Sequence, residues 1–397
     1  MRPRYTPFAI VAVCTITTCR GEGSSPSGPP GPLPDQPQAV DAGPDLRTHP
    51  GVPVSLTTRV GDPDTGRWTA SWGDGRVDTV SLASGSLITA THVYTALGRY
   101  TVHVGVVGYD GDAAADTLTV LVEPPGTPEV FIGAGDIAAC GIEATTDHVR
   151  MSGAILDTTP GTVFAAGDEA YPAGSVKDYA TCYAPYWGRF KKRTHPVPGN
   201  HDYDTPGAAG YFGYYGVAAG DSTRGWYSFE LGAWHIVMLN SNFHDAKNHI
   251  PKAAELAWLQ ADLAAHPSRC TLAMWHHPRF SSGTTHGSDT LMTPLWQVLY
   301  DAGADVIVNG HEHNYERFAP QGPDGTLDTL RGIREFVAGT GGSGFYHFGP
   351  PIANSQDTTT QHGLLKLTLY DSAYHWDFIP IPAYAHPHAD SGTALCH

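Results

Sequence analysis

Five stretches of the chain place a residue able to ligate a metal at the end of a strand, four of them directly behind a glycine. Val130–Ala134 runs into Gly135-Asp136-Ile137-Ala138, and Thr162–Ala166 into Gly167-Asp168-Glu169-Ala170-Tyr171. Gly199-Asn200-His201-Asp202 follows, then Thr271–Trp275 with His276-His277-Pro278, and finally Ala304–Val308 with Asn309-Gly310-His311-Glu312-His313. An apolar, β-branched run that stops at glycine reads as a buried strand meeting a tight loop, the place where α/β sheets hold their ligands. A single carboxylate after a strand is commonplace. Carboxylate, amide and imidazole donors at five strand ends constrain the fold to one that brings those ends together around hard or borderline metals.

Composition removes other classes. With 397 residues, 41% of them hydrophobic, the chain can bury the cores of two or three domains. Its 23 basic against 39 acidic residues give a formal charge of −16, which excludes a surface built to grip nucleic acid or anionic lipid through many phosphates. No specific nucleic-acid binding is expected, and phosphate handling has to be local. The 21 histidines exceed the needs of packing.

Residues 1–19 read as an export signal, with Arg2 and Arg4 before an apolar stretch, Phe8 to Cys14, too short to span a bilayer. Ile16-Thr17-Thr18-Cys19 loosely resembles a bacterial lipoprotein processing box; Cys19 is then a lipid anchor, with plain secretion as the alternative. Either way the expected location is the periplasm, the cell surface or the medium. Residues 20–37, rich in Pro, Gly and Ser, read as an extended linker. Short alternating runs over 38–122 read as a β-sandwich, and strands alternate with helices over 127–397. There, Leu256, Leu259 and Leu263 share one helix face; Thr293-Pro294 caps another helix that buries Leu295, Val298 and Leu299. Gly363–Tyr370 and Tyr374–Ile379 read as a hairpin at a sheet edge. The four cysteines beyond the export segment suggest two disulfides in an oxidising compartment. Three pairings are open, and Cys140–Cys182 with Cys270–Cys396 is preferred because Cys140 and Cys182 each follow a carboxylate motif.

Two resemblances follow. Trp72-Gly73-Asp74-Gly75, His92-Val93-Tyr94 and Gly98-Arg99-Tyr100-Thr101-Val102 resemble a PKD-type immunoglobulin-like module, which implies a spacer or a unit touching cell-surface polymers. The five strand-end motifs resemble the calcineurin-like metallophosphoesterases and, among them, the purple acid phosphatases, from roughly Glu129 to the C-terminus. That resemblance implies a β-sandwich flanked by helices in four αββα layers, carrying two metal ions, ferric iron with divalent iron, zinc or manganese. It makes Asp168 the bridging carboxylate, with Asp136, Tyr171 and His313 on one metal and Asn200, His276 and His311 on the other. A small phosphate ester is the implied substrate, hydrolysed as a monoester by direct attack of metal-bound hydroxide. Cleavage of diesters or nucleotides on the same site, and an inert adhesive surface protein, are the alternatives. The first motif has Ala138 where the purple enzymes usually have glycine, Ala273 stands for the usual valine, and one histidine, His286, stands where the family often has an adjacent pair.

Around the centre, His201 is expected as the proton donor with Asp202 orienting it, and His286 as a second candidate. His277 reads as a packing residue, Glu316 and Arg317 as a structural pair, Ser281–Thr285 as a mobile segment, and Tyr186 with Trp187 as a wall near the entrance.

Overall fold

Period-two burial builds the C-terminal part. In the strand Glu129–Ala134, Phe131 faces one way and Ile132 the other, and in Thr162–Ala166 the same holds for Phe164 and Val163. In this computed structural model the described residues are 40–60, 66–81, 87–108, 111, 113–122, 126–139 and 143–397. The expected export segment with Cys19, the linker and Cys140 lie outside them.

Two sheets carry the C-terminal part. One runs Thr194–Val197, Thr162–Ala166, Glu129–Ala134, Gly363–Tyr370, Ala373–Pro380, Ser391–Leu395, its first three strands parallel. The other runs Tyr227–Leu231, Trp234–Met238, Cys270–Met274, Val306–Asn309, Arg334–Ala338, Tyr315–Phe318, Ser355–Thr359, parallel from the second strand to the fifth. Phe131, Phe164 and Leu367 of the first sheet pack on Ile236, Leu272 and Val308 of the second. Outside the first sheet, Val149 and Leu156 of the helix Glu143–Thr158 cover Ile132 and Val163. Outside the second, the helices Lys252–Ala265 and Thr293–Asp301 cover Val237 and Ile307 through Leu259, Leu295 and Leu299. The expected four layers are present, with apolar clusters between each pair of neighbouring layers.

Several local expectations need correcting. Gly363–Tyr370 and Ala373–Pro380 do pair, but in the interior of the sheet; the edge is Ser391–Leu395. Pro294 lies in the first helical turn as expected, whereas the capping side chain is Asp289, which accepts from Leu291 N–H ahead of the short turn Thr290–Met292. Trp187 is no entrance wall: it is fully buried and donates from Nε1 to Ser152 Oγ at 3.1 Å. Cys270 and Cys396 form a disulfide, as preferred. Cys182 is also disulfide-bonded.

The N-terminal part is all-β, with sheets of three and five strands closed over Trp68, Trp72, Val104 and Val120. Its motif residues interlock: Tyr94 Oη donates to Trp72 O at 2.8 Å, His92 stacks on Trp72, and His92 Nε2 pairs with Asp74 at 2.8 Å. It touches the C-terminal part through Lys192 Nζ on Asp116 at 2.9 Å and Arg47 on Glu129 at 3.5 Å. Among the described residues, no helix is long and apolar enough to cross a membrane.

Glu255 illustrates what the core tolerates. It is buried in the helix Lys252–Ala265, accepts Asn240 N–H on Oε1 at 2.7 Å, and leaves Oε2 without a partner. Burial pushes its carboxyl up to about 8. Because the folded value lies above the unfolded one, its contribution is fully present at acid pH and is lost as pH rises through the folded value. Glu255→Gln should therefore match the wild type, apart from a constant offset, below the ordinary glutamate range of about 4.3. Its Tm advantage should grow with pH and level off above about 8, measured by thermal melts across pH.

Candidate metal centre

Asp136 and Asp168 stand just beyond adjacent parallel strands, so the ladder between Glu129–Ala134 and Thr162–Ala166 fixes their separation. Both carboxylates are buried, and both residues have left-handed backbone, φ 56° and 53°. His311, at the end of Val306–Asn309, has φ 72°. Non-glycine residues rarely adopt this region, and such strain concentrates at functional sites. The loops are tight as well: a Cβ at Gly199 would overlap the Asp168 carboxylate.

The donors converge. Tyr171 Oη donates toward Asp136 Oδ1 at 2.9 Å and Asp168 Oδ2 at 3.1 Å, and lies 3.0 Å from His313 Nε2. His313 Nε2 is 3.2 Å from Asp136 Oδ1, and His276 Nε2 is 3.3 Å from Asp168 Oδ2. His276 Nδ1 donates to Ala166 O at 2.8 Å, and His313 Nδ1 to Gly344 O, so each ring turns Nε2 inward. His311 Nδ1 approaches His276 Nε2 at 3.3 Å. Backbone amides complete the carboxylates: His311 N–H on Asp136 Oδ2 at 2.7 Å and His201 N–H on Asp168 Oδ1 at 2.8 Å.

The donor set suits metal ions. Asp136, Asp168 and His276 offer three ligand atoms within 4.8 Å of one another. Asn200 Oδ1 is buried without a hydrogen-bond partner, an acceptor that a cation would satisfy. Burial pushes the Tyr171 phenol well up, and the charges of Asp136 and Asp168 push it further. Ionising it needs positive charge at hand. Burial alone would raise the Asp168 carboxyl, yet it is held below the usual carboxylate range, chiefly by His276. Carboxylate, phenol and amide oxygens with imidazole nitrogens fit iron, zinc or manganese.

Other expected residues are differently placed. Asp202 does not orient His201. It is fully buried, accepts Asp168 N–H at 3.1 Å and Gly199 N–H at 2.9 Å, and takes a hydrogen bond from Tyr179 Oη at 2.8 Å. His201 instead donates from Nδ1 to Pro172 O at 2.7 Å, near Asp204 at 3.3 Å, and packs over the Tyr171 ring. Its Nε2 has no protein partner among the described residues. His277 is the expected packing residue, buried with Nδ1 on Ser241 Oγ at 2.7 Å. Glu316 and Arg317 are not a pair: Arg317 binds Asp390 through Nε at 2.7 Å, and Glu316 accepts Ser282 N–H at 2.7 Å and Ser282 Oγ–H at 2.5 Å. Glu335 takes the amides of Arg279 at 2.9 Å and Phe280 at 3.2 Å. The segment from Arg279 to Ser282 is thus pinned by buried carboxylates. Sequence reasoning missed Glu335 and gave Glu316 the wrong partner because their donors are amides and serine hydroxyls remote in the chain.

Comparison with known proteins places this geometry. A model of the calcineurin-like phosphoesterase family matches residues 91–315. Purple acid phosphatase 15 of Arabidopsis thaliana is 29% identical over 209 residues, 44% of this chain and 38% of that protein. Purple acid phosphatase 23 of the same plant is 31% identical over 150 residues, 33% of this chain and 32% of that protein. An uncharacterized protein of Mycobacterium tuberculosis is 29% identical over 185 residues, 37% of this chain and 35% of that one. The matches span less than two-thirds of the length of these relatives. A purple acid phosphatase from yellow lupin (Lupinus luteus) seeds shares the fold, with a TM-score of 0.60 at 16% identity over 86% of this chain and 74% of its own. Since the family model covers more than half of the residues, including all but the flanks of the site's own strands, the chain belongs to the calcineurin-like phosphoesterases.

Proposed function

We propose that this chain is an exported phosphomonoesterase working with two metal ions, ferric iron beside divalent iron, zinc or manganese. The observation that carries the reading is the meeting of Asp136, Asp168, Tyr171, His276 and His313 at contact distance beside the unpartnered Asn200 Oδ1. Asp168 would be shared by both metals, Asp136, Tyr171 and His313 would hold the ferric ion, and Asn200, His276 and His311 would hold the divalent one. When bound, the pair supplies Lewis-acid charge and a water of lowered pKa, so hydrolysis is direct and needs no phosphoenzyme.

The chain's own residues do the rest. Two carboxylates and a phenolate bring about three negative charges against five positive, which leaves a positive pocket in a protein of net charge −16. A phosphate monoester is drawn to it locally. With Nδ1–H engaged by Pro172 O, Nε2 is the nitrogen of His201 left to exchange a proton with developing charge or the leaving oxygen. Asp202 shapes the centre instead by holding the Asp168 and Gly199 amides. His286, whose ring lies 4.0 Å from that of His311 by centroids, flanks the second metal.

The residues 1–19 act as the export signal, with Cys19 as an anchor or the chain secreted, and 20–37 as a linker. Residues 38–122 form a PKD-type spacer able to meet surface polymers, and 127–397 the catalytic unit. Its contacts with that unit, Lys192–Asp116 and Arg47–Glu129, suit a spacer that leaves the ligand loops clear.

Asp168→Asn, which keeps a residue tolerant of left-handed backbone, should bind fewer than two metals by elemental analysis. It should also lose more than about a hundredfold in turnover of a phosphomonoester. Two metals retained at full turnover would exclude the bridging role. In the iron-loaded protein, Tyr171→Phe should abolish the broad visible absorption band; an unchanged spectrum would remove Tyr171 from the ligands.

A further inference from the structure

We propose that Glu312 is a positioning residue that fixes His286 over the metal-ligand loop. Glu312 sits between His311 and His313 and is fully buried. Its Oε1 accepts two amides at once, His286 N–H and Gly287 N–H, each at 2.6 Å, while Oε2 is buried without a partner. A Cβ at Gly283 would collide with this carboxylate, so the loop leaving His276 passes directly over it and requires glycine there. Charge-assisted hydrogen bonds of this length are the strong kind.

The side chain of His286 makes no protein hydrogen bond among the described residues. Its ring is placed by packing on His311, with centroids 4.0 Å apart, and edge-on to Tyr346 at 5.3 Å. Orientation therefore comes from the backbone, and the backbone at that point is held by Glu312. Glu335 and Glu316 hold the earlier part of the loop, Arg279 to Ser282, and do not reach His286. Both ring nitrogens are left for a bound phosphoryl group. The same short peptide that presents His311 and His313 thus also presents His286, so the ligand loop and the outer imidazole move as one piece.

The catalytic consequence rests on the phosphoesterase reading; the positioning itself does not. Amide hydrogen exchange in metal-free protein tests the positioning. Glu312→Ala should speed exchange at His286 and Gly287 and leave Phe280 and Ser282 protected, whereas unchanged exchange at the first pair would overturn the proposal. The functional arm is a double-mutant cycle in metal-loaded protein, read as kcat on a phosphomonoester and as calorimetric affinity for inorganic phosphate. Glu312→Ala should lower kcat about 10–100-fold at unchanged metal content. In a His286→Ala background it should cost less than about threefold further. Glu312→Gln, whose Oε1 can still accept both amides, should recover most of the loss. Multiplicative losses in the double variant, or loss of metal in Glu312→Ala, would overturn the proposal. A wild-type protein without turnover would sink the phosphoesterase reading, with the exchange measurement still deciding the role of Glu312.

Discussion

Placing two carboxylates side by side in the protein interior is the constraint on which this structure depends. Like charges at that distance oppose their own ionisation, and burial adds to the cost. Asp136 and Asp168 are tolerated because each takes a backbone amide from a neighbouring loop, and because imidazoles and a phenol crowd their remaining oxygens. The strand ladder sets their spacing, left-handed backbone aims them, and Gly199 admits the loop that supplies a donor.

The candidate donors were legible in the sequence because their signal is local. A strand that ends in glycine followed by aspartate or histidine announces both its geometry and its chemistry within six residues, and parallel pairing then gathers such ends without further instruction. The layers were legible for a similar reason: strands buried on both faces need helices outside, and Leu259, Leu295 and Leu299 carry the required spacing. The interior position of the C-terminal hairpin was not legible, since nothing within Gly363–Tyr370 tells that Ser391–Leu395 will pair beyond its partner.

The polar partners were the harder part. Asp202 follows His201 in sequence, but its side chain turns inward to amides of two other segments, while Asp204 approaches the imidazole. A Ser-Ser-Gly-Thr-Thr run looks mobile when only its composition is read. Here buried Glu335 holds the turn before it through backbone N–H groups alone, which leave no side-chain signature, and buried Glu316 holds its beginning through the Ser282 amide and hydroxyl. Buried carboxylates in an acidic protein thus serve two purposes, as members of the candidate metal centre and as acceptors that freeze loops.

The two sheets are fastened to each other at opposite ends. At the end where the parallel strands finish, Asp136, Asp168, Tyr171 and Asn200 come from one sheet's loops and His276, His311 and His313 from the other's. At the end where the strand Cys270–Met274 begins, Cys270 is bonded to Cys396, which follows the last strand of the opposite sheet. The sandwich therefore has two clasps of unlike chemistry, one of ion pairs and hydrogen bonds that acid opens and one covalent bond that reduction opens. Neither agent alone frees both ends, so a compartment that is acidic but oxidising, or neutral but reducing, still leaves the two sheets joined.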